Sequence, residues 1–165
     1  MNVTEPEAPP EGSNVTGMVD RAWRTHAPVV LRFATALVGP HDAEDVAANA
    51  FLRTIGRRGW QKIERLDYYL LRAVRNEANN LYRSRQCRWE RDLNAVRPIA
   101  MTDIVSDVDL WQAVAQLTIQ QRSIVYLAYW QDLTEAEIAE TLDLTRSSVH
   151  RTLGRARIAL GKALR

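Results

Sequence analysis

The chain has 165 residues, 46% hydrophobic and 25% charged, with Cys87 as its one cysteine, enough for one ordinary domain or two very small ones. A lone cysteine excludes an internal disulfide and a cysteine-built zinc site. Residues 1–17 hold no Lys or Arg and no apolar stretch, which speaks against a signal peptide, and no run approaches the roughly 20 apolar residues of a membrane helix, so a soluble cytoplasmic protein without membrane insertion is expected.

The net charge of +2 hides a block layout. Residues 51–97 hold twelve bases and five acids, residues 98–140 one base (Arg122) and seven acids, and residues 141–165 six bases and one acid. Two cationic blocks flanking an acidic one suit a polyanion touched at two places. Nearly all the bases are Arg, the residue suited to bidentate contacts with phosphate and guanine.

Along the chain, residues 1–16 are acidic and Pro-rich and read as a disordered tail. A helix is expected from about Met18 to the stop signal Gly39-Pro40. Asp42 then reads as an N-cap, with Glu44 and Asp45 in the first turn. Ala43, Val46, Ala47, Ala50 and Phe51 recur at helical spacing as far as Ile55, before Gly56 and Gly59. A third helix is expected over about Leu66–Arg85, its apolar side Leu70, Ala73, Val74, Ala78 and Leu81. Residues 88–106 lose the periodicity and read as a flexible acidic linker. At most ~3.5 Å per residue, it could hold two modules roughly 60 Å apart. Beyond it come a short helix over 107–117, a capping box Thr118-x-x-Gln121 leading a helix to Trp130, and a second box Thr134-x-x-Glu137 leading a short helix. Asp143 breaks that helix and Thr145 caps a last one, with Val149, Leu153, Ala156 and Leu160 on one face. No segment alternates as a strand does. The expected fold is all-α: a helical domain over 17–87 and a helix-turn-helix domain over 107–165.

Residues 133–157 carry the most specific pattern. Ala139 is small enough for two helices to cross closely. Asp143 sits where the chain must turn through a left-handed conformation, and Val149 buries the second helix against the first. That helix would present Arg146, Ser147, His150, Arg151 and Arg155 outward, its first residues to base edges in a major groove and its arginines to phosphates. In the first module, Arg72, Arg75, Asn76, Asn79 and Arg83 form one stripe at helical spacing, with Asn80 beside it. Asn is a poor mid-helix residue, so this cluster points to hydrogen bonding with bases. Tyr68, Tyr69, Tyr82 and Trp89 interleave with the arginines and could stack on unpaired bases. His26, His41 and His150 are scattered without metal-ligand spacing, and no phosphate-cradling glycine loop exists. No catalytic site, metal or cofactor is expected.

Four stretches, in order, resemble the small two-domain extracytoplasmic-function group of bacterial RNA polymerase sigma factors. They are 41–46 (HDAEDV) with Phe51-Leu52, 69–83 (YLLRAVRNEANNLYR), 114–125 (VAQLTIQQRSIV) and 133–157. The resemblance implies that Asp45, Ala48, Asn49 and Leu52 face the polymerase clamp, Ala48 standing where the family usually has Gln. It implies that Asn76 takes a base flipped from the melted strand, with Arg72, Arg75, Asn79, Asn80 and Arg83 along the minus-ten element. Thr145, Arg146, Ser147, Ser148, His150, Arg151 and Arg155 would face the minus-thirty-five element. Core RNA polymerase, promoter DNA and an anti-sigma factor are the implied partners, with the nucleotide chemistry left to the polymerase. Two other readings stay open on the residues alone. A stand-alone regulator would use only the helix-turn-helix, and a sigma mimic would sequester an anti-sigma factor without reading DNA.

Overall fold

The computed structural model describes the backbone over residues 11–91 and 113–163 and the side chains over 15–86 and 113–163. Helix α1 spans Glu11–Val38, so residues 11–16 of the expected tail are helical. Once a helix is nucleated, each added residue costs little, and Ser13, Asn14 and Gly17 carry propensity penalties of only about 1 kcal/mol or less. Pro28 lies inside α1. The helix continues past it because Val30, Phe33, Ala34 and Leu37, all just beyond, are buried in the core.

The Gly39-Pro40 stop is a single-residue reversal. Gly39 takes φ 85°, donates its N–H to the Thr35 carbonyl at 2.9 Å, and hands directly to α2, Pro40–Ile55. Pro at the first helical position lacks only an N–H that would be unpaired there, and its fixed φ suits the helix. Asp42 is therefore not the N-cap that the sequence suggests. It lies on the inner side of α2, 8% exposed, where it accepts two hydrogen bonds from Arg85 at 2.6 and 2.8 Å. This fork ties α2 to α3, Leu66–Arg91. Asp42→Ala is expected to cost about 1–2 kcal/mol in chemical denaturation. The figure falls short of a fully buried pair because the Arg85 side chain remains 35% exposed and regains water.

Gly59 at φ 79° leads a 3-10 turn, Trp60–Lys62, that buries Trp60. Helix α3 runs past the expected Arg85 into the first residues of the expected linker. Its expected apolar side faces inward: Leu70, Val74 and Ala78 are fully buried, with Ala73 and Leu81 packed at the margin. Trp23 of α1 tilts against Phe51 of α2, ring centroids 4.9 Å apart.

In the second half, residues 113–115 are helical, and residues 107–112 of that expected helix lie outside the described residues. Helix α4 is Ile119–Tyr129, α5 is Glu135–Leu142 and α6 is Arg146–Ala163. Both expected capping boxes form. The Thr118 hydroxyl accepts from the Gln121 N–H while the Gln121 side chain accepts from the Thr118 N–H. Thr134 and Glu137 do the same. The hydrogen bonds from Thr134 hold the Glu137 carboxyl below its usual range. A depressed folded value contributes stability above the unfolded pKa of about 4.3, and that contribution is lost as pH falls through the lower folded value. Circular dichroism melts from pH 5 downward are expected to show that loss in the native chain, and a shallower one in Glu137→Gln, which cannot titrate there.

Residues 92–106 of the expected linker lie outside the described residues, but among the described residues the two halves share one core. Phe33, Leu37, Leu70 and Val74 belong to the same buried cluster as Ile124, Leu127, Ile138 and Val149. Phe33 of α1 meets Tyr126 of α4 at 5.2 Å between centroids, and burial raises the Tyr126 phenol above its ordinary pKa. Arg122, the lone base of the acidic block, is 7% exposed at this seam. It donates to the Leu37 carbonyl at 2.6 Å in the last turn of α1 and to the Tyr82 hydroxyl on α3 at 3.0 Å. It also donates to the carbonyls of Val114 and Leu117 at 3.1 and 3.0 Å, and to that of Ala115. One guanidinium thus satisfies the C-terminal carbonyls of two helices, one from each half, at their negative dipole ends.

Candidate nucleic-acid interface

The α3 stripe is one surface with two environments. Asn76, Asn80 and Arg83 are exposed and Asn79 is half-buried. They line the open part of the helix. Toward the N-terminus the stripe runs under the second half of the chain. Arg72 Nη1 lies 3.4 Å from Asp143 Oδ2, at the turn between α5 and α6, and stands 5.1 Å from the Tyr69 ring. Arg75 donates to Asn76 Oδ1 at 3.4 Å, while its Nε is buried without an acceptor. Burial, then the neighbouring Arg72 charge, pushes the Arg75 guanidinium below its usual pKa. A buried, partnerless donor on a cationic helix is a costly feature and marks Arg75 as the stripe residue held least comfortably in this arrangement.

The tyrosines that could stack on bases each meet an arginine of the chain itself. Arg65 lies over the Tyr68 ring at 3.5 Å, Arg57 over Tyr69 at 5.6 Å, and Arg122 over Tyr82 at 5.7 Å. The Tyr82 hydroxyl also accepts from Arg122. In this arrangement Tyr82 serves the seam between the halves rather than a base. Trp89 lies outside the described side chains.

The helix-turn-helix takes the expected form. Ala139 is 8% exposed at the crossing of α5 and α6, and Val149 is fully buried. Asp143 adopts φ 55°, ψ 53°, the left-handed turn. Its N–H reaches the Glu140 carbonyl at 3.3 Å, and the Leu144 N–H reaches that of Ala139 at 2.8 Å. Thr145 precedes α6 and accepts from the Ser148 N–H at 3.2 Å; its hydroxyl also meets that of Ser147 at 3.2 Å. Ser148 is half-buried against this cap, whereas Arg146, Ser147, His150, Arg151 and Arg155 are exposed along α6. Sequence reasoning missed Glu135 beside them. Its carboxylate lies 2.9 Å from His150 Nδ1 and 4.0 Å from Arg146 Nε. The signal was only that an acid at the first position of α5 stands next to the outward face of α6. Nearby, Arg157 donates to the Tyr129 hydroxyl at 2.8 Å, bracing the end of α6 on α4.

On α2, Asp45, Ala48, Asn49 and Leu52 are exposed along one strip, with Leu52 60% exposed. An open leucine beside an acid and an amide suits contact with another protein better than with DNA. Among the described residues no group of three His, Cys, Asp or Glu side chains is placed to hold a metal ion, and no helix is long and apolar enough to cross a membrane.

Two surfaces, a cationic amide stripe and a helix-turn-helix, thus lie on one chain. Residues 22–88 match Sigma-70 region 2 and residues 107–160 match Sigma-70, region 4. The RNA polymerase sigma-E factor of Streptomyces coelicolor is 33% identical over 149 residues, covering 86% of this chain and 82% of that protein. The chain belongs to the sigma-70 family. The RNA polymerase sigma-E factor of Streptomyces avermitilis is likewise 33% identical, over 150 residues and the same shares of each chain. A solved complex of the sigma factor RpoE with the anti-sigma factor NepR from Bartonella quintana shares the fold. Its TM-score is 0.68 at 20% identity, covering 88% of this chain and 95% of that one. The sigma factor described here is of the extracytoplasmic-function type, a promoter-recognising factor for transcription initiation and not an enzyme. The resemblance of its four sequence stretches pointed to the same group.

Proposed function

We propose that this sigma factor binds core RNA polymerase through the α2 strip of Asp45, Ala48, Asn49 and Leu52, reads the minus-thirty-five element with α6, and captures a minus-ten base on the α3 stripe. The observation that carries the reading is the pairing on one chain of an exposed Arg/His/Ser face on a helix-turn-helix with an Asn-rich cationic helix. The first suits paired DNA and the second suits unpaired bases. Base extrusion costs a few kcal/mol; a surface that binds only the extruded form shifts the equilibrium by its differential affinity. Tethering both sites on one polymerase raises their effective concentration, so neither needs high affinity alone. The domains act as units of 17–87 and 107–165, the protein works in the cytoplasm, and an anti-sigma factor is a further partner. The solved relative bound to NepR supports that last assignment.

The test is run-off transcription with purified core polymerase on a promoter selected by the reconstituted holoenzyme. Specific transcripts that depend on the added chain are expected. Duplex binding that persists with no transcript and no polymerase association would overturn the reading in favour of a stand-alone regulator.

A further inference from the structure

We infer that Glu135 is a specificity-positioning residue of the reading helix: its carboxylate fixes the tautomer of His150 and so sets which kind of base edge that ring accepts. The inference rests on α6 being the helix that reads duplex DNA. Glu135 is the first residue of α5, on the other helix of the pair, and its side chain is 29% exposed, against 77% for His150 and 76% for Arg146. Its two oxygens face two residues one turn apart on α6, Oε1 to His150 Nδ1 at 2.9 Å and Oε2 to Arg146 Nε at 4.0 Å. Glu135, Arg146, Ser147, His150 and Arg151 line one shallow hollow. The acid therefore stands at the base of the reading face, with the far ends of its two partners outward.

A carboxylate only accepts hydrogen bonds. At 2.9 Å from a carboxylate, His150 Nδ1 carries a proton, and whenever the ring is neutral its lone pair is on Nε2, the nitrogen facing away from Glu135. An acceptor in that place suits the exocyclic amine of adenine or cytosine in the major groove. It is mismatched to guanine N7 and O6 and to thymine O4, which offer acceptors only. The second carboxylate oxygen draws Arg146 Nε inward. That leaves the terminal nitrogens of the guanidinium as its outward donors, the fork that suits phosphate or guanine. Glutamine at 135 would break this selection without changing the size of the side chain. Its amide both accepts and donates, so either nitrogen of His150 could carry the proton.

Two measurements on the full chain test this. The first is nitrogen-15 long-range correlation NMR at pH 8.5, where an ordinary imidazole is neutral. The native chain is expected to show His150 as the Nδ1–H tautomer, and Glu135→Gln a mixture or the Nε2–H form. An Nε2–H ring in the native chain overturns the inference whether or not any DNA binds. The second is selection from randomised duplexes by holoenzyme reconstituted with core polymerase. One position is expected to prefer adenine or cytosine about 5- to 10-fold in the native protein. That preference should be lost on His150→Ala and should fall to within about 2-fold in Glu135→Gln. If Glu135 serves only to brace α5, the substitution weakens all duplexes alike and leaves the base ranking unchanged, which also overturns the inference. Failure of the native holoenzyme to select any sequence is a distinct result, and it overturns the parent reading of α6 itself.

Discussion

Asn76→Ala is expected to lower open-complex formation about 10- to 100-fold while leaving binding to minus-thirty-five duplex within about 2-fold. Asn76 is exposed on α3, its Oδ1 touched only distantly by Arg75, so its amide is available to pair with an extruded base. An amide contact that discriminates between bases is worth about 1–3 kcal/mol, and here it would act only after the base has left the stack. Permanganate footprinting reads the open strand, and mobility shift on an upstream duplex reads the closed one. Arg151→Ala is expected to do the reverse. It weakens duplex binding and, if Arg151 meets phosphate, reduces the slope of log affinity against log salt by about one. On a premelted template its initiation rate should approach that of the native chain. Both substitutions lie on exposed faces, so folding is not at stake. Should the two variants lose the same step to the same degree, the division of labour between α3 and α6 is wrong.

Arg122→Met is expected to cost about 3–5 kcal/mol of stability and to separate the two halves of the chain. Methionine fills much the same volume but offers no donor. The carbonyls of Leu37, Ala115 and Leu117 and the Tyr82 hydroxyl lose the guanidinium that now satisfies them, and that of Val114 keeps only its bond from the Leu117 N–H. Unpaired helix C-terminal carbonyls in a buried seam are costly. Small-angle scattering reads the separation, because a packed chain of this length has a radius of gyration of roughly 15 Å and a linker-separated pair exceeds it clearly. Tyr82→Phe is the milder companion. It removes one cross-seam hydrogen bond, leaves the carbonyls capped, and is expected to cost about 1 kcal/mol without opening the chain. If Arg122→Met keeps native dimensions and melts as the native chain does, the seam is held by apolar packing alone.

The seam also bears on how the two reading surfaces are deployed. With the halves packed, the α5–α6 turn lies over the start of the α3 stripe through Asp143 and Arg72, and Arg75 is partly covered. The outward face of α6 and the Asn76–Arg83 end of α3 stay open. The packed form therefore leaves parts of both interfaces accessible but not the whole stripe.

Local rules account for how much of this was legible beforehand. The two capping boxes, the left-handed Asp143, the buried Val149 and the exposed arginines of α6 are near neighbours in sequence, so spacing and side-chain chemistry specify them. The same holds for the inward face of α3 and its polar stripe. Asp42 misled because a residue that reads as a cap is equally a residue that can pair across helices. Its partner Arg85 lies 43 positions away, and no local pattern reports that distance. Tyr82 is a similar case. An aromatic among arginines suits a stacked base, but its ring and hydroxyl meet Arg122, 40 positions away.

By itself, then, the order of residues determined most of the helices, the two capping boxes and the helix-turn-helix, because each depends on periodicity and on contacts within a few turns, while the four motifs carried the resemblance to the family. Only the tertiary structure decided that the halves share one core, that Arg122 serves the carbonyl ends of two helices, and that Glu135 stands against His150. These are contacts between segments far apart in the chain, or between helices whose crossing angle sets the distance. Their geometry comes from packing, which no spacing rule along the chain encodes.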